Sequence, residues 1–445
     1  MSPLLPSSLN YRDVIAVGLM TFSLFFGAGN MILPPYLGHM AGPDLLGALT
    51  GFLLTGVGLP LLGVIATARL SGGFQSFTRP LPRWIALSFG VVLYTVIGPL
   101  FASPRTATVA WEASFAPLLG DTGDTGLQLY CVLFFLVSLW FSLYPGQLIN
   151  TLGKIVTPLL LIVLAIVAVG VFMFAPESGV RPTFMEERNA FFWGIEQGYL
   201  TMDALAALAF GIVIVTALKQ RGITAPVHLT RYTMVAGLMT AVGLLAAYTM
   251  LAVLGHASYD LVPQPANGVE VLNAYVLALY GEFGLVLIGI AMTLACLTTA
   301  VGLITASAEY FSDSFPILGY RAYAVICAVC SAMIASVGLN DILAAMVPVL
   351  QLIYPSVIVL IFWGLLRDWL LCPASACRWM VAVALLVSAL DGVAALVQGP
   401  LAELVALLPL HKDGLAWLLP VVLTGFLSQL GGCVRKVRKG GQALS

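Results

Sequence analysis

Leu24-Phe25-Phe26-Gly27-Ala28-Gly29-Asn30-Met31-Ile32-Leu33-Pro34-Pro35 interrupts an apolar run that extends from about residue 12 to residue 39. Gly27 and Gly29 weaken a helix. Pro34 and Pro35 remove two amide donors and clash with preceding carbonyls. In lipid, each backbone group left unpaired costs several kcal/mol, so a broken helix persists only where protein, ions or a ligand complete its hydrogen bonds. Breaks of this kind mark transport sites near the middle of the bilayer. The plainer reading is a kinked helix whose glycines permit close packing. Asn30, polar and set between the glycines and the prolines, favours a site.

The surrounding chain makes a membrane setting necessary. Of 445 residues, 60% are apolar and only 9% charged, with 19 Lys and Arg against 20 Asp and Glu for a net charge of −1. A soluble domain is about one quarter charged. A cytosolic enzyme and a disordered chain are therefore excluded, and no basic field supports nucleic-acid binding. Seven cysteines, several inside apolar runs, do not read as a disulfide framework. Cys327 and Cys330 have C-x-x-C spacing but lie in a continuous apolar helix pattern, where they read as packing residues. The N-terminus has no basic region of the kind that precedes a cleaved signal.

Apolar runs broken by short polar loops predict an all-α polytopic membrane protein of about 12 transmembrane helices, near 12–39, 45–70, 84–118, 126–145, 152–176, 190–217, 230–256, 283–311, 321–339, 342–366, 378–397 and 414–434. With the N-terminus in the cytoplasm, 15 of the 19 basic residues face inward, including the Arg435–Lys439 cluster. Arg181, Arg188 and Lys412 fall outside, and Arg105 falls within the third span. This bias predicts cytoplasmic N- and C-termini. Val269–Tyr280, after Ala266-Asn267-Gly268, reads as a short amphipathic helix in an outer loop, either a lid or an ordinary interfacial helix.

A second anomaly lies in the sixth span at Gly198-Tyr199-Leu200-Thr201-Met202-Asp203. A carboxylate inside an apolar segment is a functional candidate by default, unless it sits at the headgroup level, where Glu196 fits better. Interruptions in the first and sixth spans are five spans apart, as an inverted five-plus-five repeat requires. The division predicted is 12–176 for the first repeat, 190–367 for the second and 374–434 for two additional C-terminal helices. The eighth span carries Ala295-Cys296-Leu297-Thr298-Thr299-Ala300-Val301-Gly302. Two adjacent hydroxyls bond to carbonyls one turn back or, beside a broken neighbour, supply hard oxygen ligands to a small cation. In the third span, Arg105 must face the interior, pair with a carboxylate or snorkel. Glu112, Asp203 and Glu196 are its candidate partners, and an ion pair or gate of Arg105 with Glu112 is one outcome. Asp391, in the eleventh span, falls outside both repeats.

The Gly27–Pro35 break, Gly98-Pro99-Leu100-Phe101-Ala102-Ser103-Pro104-Arg105-Thr106-Ala107-Thr108-Val109, Ser142-Leu143-Tyr144-Pro145-Gly146, the Gly198–Asp203 stretch and Ala295–Leu303 together resemble the bacterial branched-chain amino acid:cation symporters, the BrnQ family. The resemblance runs from about Arg12 to the last span. It implies the LeuT-type fold, a bacterial inner membrane location, and secondary active import of leucine, isoleucine or valine with a cation. It also implies site residues. The amides of Ala28 and Gly29 meet the substrate carboxylate, with Asn30, Tyr199 and Thr201 beside the substrate. Carbonyls of Ser23, Phe26 and Ala295 and hydroxyls of Thr298 and Thr299 surround one Na+. Asp203 departs from the sodium-coupled pattern, in which a small hydroxyl residue is usual, and is assigned to the substrate ammonium, a second cation or a proton. The expected partners are the amino acid and the lipid bilayer. No cofactor beyond Na+ (or H+) as coupling ion, no nucleic acid and no obligate protein partner are implied.

Three other readings are open. Proton coupling through Asp203 is the alternative within transporters. A channel needs a continuous polar pore lining, and no span carries a polar stripe. A membrane-embedded enzyme has no support: His39, His228, His256 and His411 lack metal-ligand spacing, and no nucleotide-binding loop is present.

Overall fold

The computed structural model describes residues 9–70, 73–119, 123–143, 157–173, 188–396, 403 and 405–442, and the regular structure among them is helical throughout. Among the described residues, each of the twelve expected spans holds one or more helical segments. Tyr144-Pro145-Gly146 and most of the loop near 177–190 lie outside the described residues.

The first span is two helices, Tyr11–Phe25 and Ala28–Ala41. The break sits at Phe26 (ψ 86°) and Gly27, which is extended at φ −121° and ψ −158°. The two prolines do not cause it: Pro34 and Pro35 lie inside the second helix. Their effect is more local. A proline has no amide hydrogen, so the carbonyls four residues back, those of Asn30 and Met31, lose their intrahelical donors. The start of this second helix therefore offers free amides, and its first turns offer free carbonyls.

The sixth span is likewise two helices, Ala190–Tyr199 and Asp203–Gln220. The hinge holds Met202 in the left-handed region at φ 63°, a conformation costing a non-glycine residue roughly 1–2 kcal/mol. Thr201 holds the turn together. Its hydroxyl donates to the Gly198 carbonyl at 2.9 Å and accepts from the Asp203 amide at 3.2 Å. Asp203 opens the following helix, where a carboxylate faces the positive end of the helix dipole.

The third span is broken too. Helix Arg83–Thr95 widens into a π-turn over Val96–Leu100, where Gly98 is non-helical (φ −87°, ψ −113°), before helix Ala102–Ser114. Pro99 cannot donate within the turn, and Pro104 falls in the first turn of the next helix, where no amide is needed. The Ser307 hydroxyl fills the opening, donating to the Tyr94 carbonyl at 3.1 Å. The predicted helix at Val269–Tyr280 is present. It begins at Gly268, with the Asn267 side chain capping the amides of Val269 and Glu270, and bends at Gly281 (φ 62°) into the eighth span, which continues to Ser314.

Both halves of the first span pack along the seventh, Pro226–Ala257, and both halves of the sixth pack along the second, Leu45–Leu70. Glycines permit this. A side chain on Gly255 would strike the backbone of Pro35, one on Gly38 that of Ala252, one on Gly51 that of Phe191 and one on Gly194 that of Ala48. Such contacts between small residues replace the hydrophobic drive that lipid does not supply. The outside of the bundle is greasy: Trp140, Ile162, Leu133, Phe283 and Phe426 are all more than half exposed. Such a surface is stable against lipid tails and not against water.

Candidate functional site

The breaks in the first and sixth spans meet. The side-chain amide of Asn30 donates to Asp203 Oδ2 at 2.6 Å. It donates as well to the hydroxyl of Tyr248 in the seventh span, which itself donates to Asp203 Oδ2 at 2.7 Å. None of the three residues is more than 3% exposed. The desolvation of a buried carboxylate is offset here by two donors on one oxygen. Tyr248 carried no signal in the sequence beyond being a tyrosine in an apolar run, although a buried tyrosine hydroxyl nearly always finds a partner.

Arg105 lines the same site. Its Nη1 donates to the Leu200 carbonyl at 2.6 Å and its Nη2 to the Thr201 carbonyl at 3.2 Å. These carbonyls end helix Ala190–Tyr199 and have no continuing helix to pair with, so the guanidinium caps the break. The ion pair of Arg105 with Glu112 considered from sequence is not formed. Among the described residues, no carboxylate lies within salt-bridge distance of Arg105. Glu112 is at the far end of helix Ala102–Ser114, where its carboxylate accepts from Asn267 at 2.9 Å. Asn267 also donates to Asn340 at 3.0 Å, tying the third, eighth and tenth spans at one end of the bundle. Glu196, the remaining candidate, pairs with Arg188 at 3.1 Å.

Thr299 faces the first break. Its hydroxyl would lie 2.6 Å from a Cβ on Gly27, and it is buried with no hydrogen-bond partner among the described residues. Thr298 behaves differently, donating to the Ala295 carbonyl at 2.8 Å one turn back. An unpaired buried hydroxyl beside an interrupted helix is the chemistry of a hard-cation ligand.

Between these residues is a cavity of about 30 Å³, room for about one water molecule. Ala28, Gly29, Asn30, Arg105, Thr201, Asp203 and Thr299 line its polar side, and Phe25, Ile97, Phe210 and Leu303 its apolar side. Of the residues singled out in the sequence, Tyr199 lies off the cavity, stacked on Tyr354 of the tenth span with ring centroids 4.4 Å apart. Ser23, Phe26, Ala295 and Thr298 are not among its lining either. The pocket thus brings together a cation, a carboxylate, residues at two helix ends, and aromatic and aliphatic side chains. Such a set suits a small zwitterion with an apolar side chain.

Residues 10–432 match a family described as branched-chain amino acid transport protein. The chain is 44% identical over 436 residues to the branched-chain amino acid transport system 2 carrier protein of Pseudomonas aeruginosa, covering 97% of this chain and 98% of the relative. It is 42% identical over 416 residues to the branched-chain amino acid permease BrnQ of Escherichia coli K12, covering 93% and 94%. Its fold is similar to that of MhsT in complex with L-phenylalanine, with a TM-score of 0.59 at 17% identity over 92% of this chain and 98% of that one. The architecture is the LeuT-type all-α membrane fold. Its sequence places this chain in the family of branched-chain amino acid transport proteins.

Proposed function

We propose that the protein is a secondary active transporter that imports leucine, isoleucine or valine by symport with Na+. The observation that carries this reading is the meeting of two broken helices at Asn30 and Asp203, with an apolar flank on the same cavity. The relatives described as carriers and permeases of branched-chain amino acids supply the substrate class. The unpaired Thr299 hydroxyl against Gly27 supports a sodium site formed with carbonyls of Ser23, Phe26 and Ala295. The packing of the first span on the seventh and of the sixth on the second supports the repeats at 12–176 and 190–367, with 374–434 added.

In this mechanism a cavity of about 30 Å³ is too small for the substrate, so the two halves must part to admit it and close again around it. Arg105 and the helix-end amides face the polar groups of the amino acid, and Phe25, Phe210 and Leu303 face its side chain. Sodium bound between the first and eighth spans favours the arrangement that also favours substrate, which is coupling in the thermodynamic sense. The test is uptake of labelled leucine into proteoliposomes. Accumulation driven by an inward sodium gradient, saturable and displaced by isoleucine and valine, is expected. Equal uptake in choline would end the sodium assignment, and absence of counterflow would favour a pore.

Proton coupling is the second reading. It rests on Asp203, a buried carboxylate with a tyrosine hydroxyl in hydrogen-bond contact. Sodium-independent uptake driven by a pH gradient and lost in Asp203→Asn would select it.

A further inference from the structure

Arg105 is 3% exposed and touches both breaks at once. Its guanidinium donates to the carbonyls of Leu200 and Thr201 in the sixth span. On the other side it lies against the first span. Nη2, Cζ and Nη1 are the atoms nearest the place where a Cβ on Gly29 would stand, at 2.5, 2.8 and 3.0 Å. Only a residue without a side chain lets the guanidinium approach so closely.

The charge is incompletely met. Nε is buried with no hydrogen-bond partner, and no carboxylate of the described residues is in salt-bridge range. The Oδ2 oxygen of Asp203, which lines the same cavity, is engaged by Asn30 and Tyr248. Two carbonyl dipoles do not replace the solvation of a full charge, and burying a guanidinium with no anion in direct contact is costly; the charge of Asp203 acts on it only from beyond salt-bridge range. A guanidinium is a planar fork of donors whose best complement is a carboxylate. Ala28 and Gly29, the first residues of helix Ala28–Ala41, whose amides have no intrahelical acceptor, line the same cavity.

We propose that Arg105 is the anchor for the α-carboxylate of the transported amino acid, acting with the amides at Ala28 and Gly29. The inference rests on reading this cavity as the amino acid site. It makes Arg105 a specificity-determining residue: a ligand with a free carboxylate satisfies the guanidinium, and one without it does not. In the absence of substrate the same fork caps the carbonyls of Leu200 and Thr201. Arrival of a carboxylate gives it an anionic partner and changes how firmly the two breaks are tied.

The test compares leucine with leucinamide, which keeps the ammonium and side chain and replaces the carboxylate by a neutral amide. Displacement of labelled leucine from purified protein is measured. In the wild type, leucinamide should bind at least about tenfold more weakly, the worth of a charge-assisted hydrogen bond. In Arg105→Gln, leucine should weaken by about tenfold or more and leucinamide by under about twofold, so the preference collapses; Arg105→Lys should retain part of it. Equal weakening of both ligands in Arg105→Gln would make Arg105 a structural cap and overturn the proposal. So would equal binding of leucine and leucinamide by the wild type, a result that needs no variant to fold. Failure of the wild type to bind leucine at all would instead remove the reading of the cavity, and the anchor with it.

Discussion

Asn30 and Asp203, 173 residues apart in the chain, share a hydrogen bond of 2.6 Å that spans the two interrupted helices. Tyr248 completes the triangle from a third helix. The pair lies where each helix has surrendered its own backbone hydrogen bonds, so side chains hold together what the main chain has released. Any solute entering between the halves must compete with or join these bonds.

Asn30→Ala removes one of the two donors to Asp203 Oδ2 and leaves that of Tyr248. Loss of a buried hydrogen bond to a charged group costs about 1–3 kcal/mol. Leucine uptake should fall at least about tenfold, and thermal unfolding in detergent should shift down. Uptake at wild-type rate would detach Asn30 from the site.

Thr299→Ala deletes a hydroxyl that no protein group satisfies. Removing an orphan costs the fold little, since nothing is left unpaired. The apparent sodium constant for uptake should rise severalfold while thermal stability stays within about 0.5 kcal/mol of wild type. Thr298→Ala should act more weakly on ion affinity and cost somewhat more stability, because it gives up the bond to Ala295. An unchanged sodium constant in both would exclude the pair as ligands.

Gly27→Ala places a Cβ 2.6 Å from Thr299 Oγ1, and Gly29→Ala places one 2.5 Å from Arg105 Nη2. Overpacking of this degree costs about 1–3 kcal/mol and shifts the groups it strikes. Both variants should lose most transport. Gly319→Ala, with open space around the added carbon, is the matched control and should transport normally. Transport by all three alike would contradict the packing at the breaks.

Asn267→Ala removes the cap of the helix that starts at Gly268 and the donor to Glu112. The cap alone is worth about 1 kcal/mol, and an unpartnered Glu112 adds to the loss. A drop of about 1–3 kcal/mol in unfolding free energy is expected, relieved in part by pairing the change with Glu112→Ala. Strict additivity of the two changes would mean that no coupling exists.

The spans were legible because length and apolarity alone specify a helix in lipid, and the Gly-x-Gly-Asn and Thr-Met-Asp stretches disclosed both breaks in their right places. Of the two causes offered for the first break, the glycines hold and the prolines do not. Gly27 adopts the extended conformation, whereas Pro34 and Pro35 are absorbed in the helix and only strip donors from Asn30 and Met31. The prolines of the third span were visible, but not that Gly98 and Pro99 would open a π-turn that sets the course of the helix bearing Arg105. Partners were the least legible. Arg105 meets carbonyls rather than any of its candidate carboxylates Glu112, Asp203 and Glu196, because orphaned backbone acceptors at a helix break have no signature in side-chain composition. Tyr248 was hidden for a related reason: one tyrosine in an apolar helix shows no direction until the fold gives it Asp203.

In the proposed mechanism the two helix breaks hold the amino acid beside the ion, and equilibrium binding of labelled leucine to the purified protein, with and without sodium, is the decisive measurement. Sodium should tighten leucine by about 5- to 150-fold, and leucine should tighten sodium by the same factor, since linkage is reciprocal. In Thr299→Ala both factors should shrink together. A leucine affinity indifferent to sodium in the wild type would contradict this mechanism.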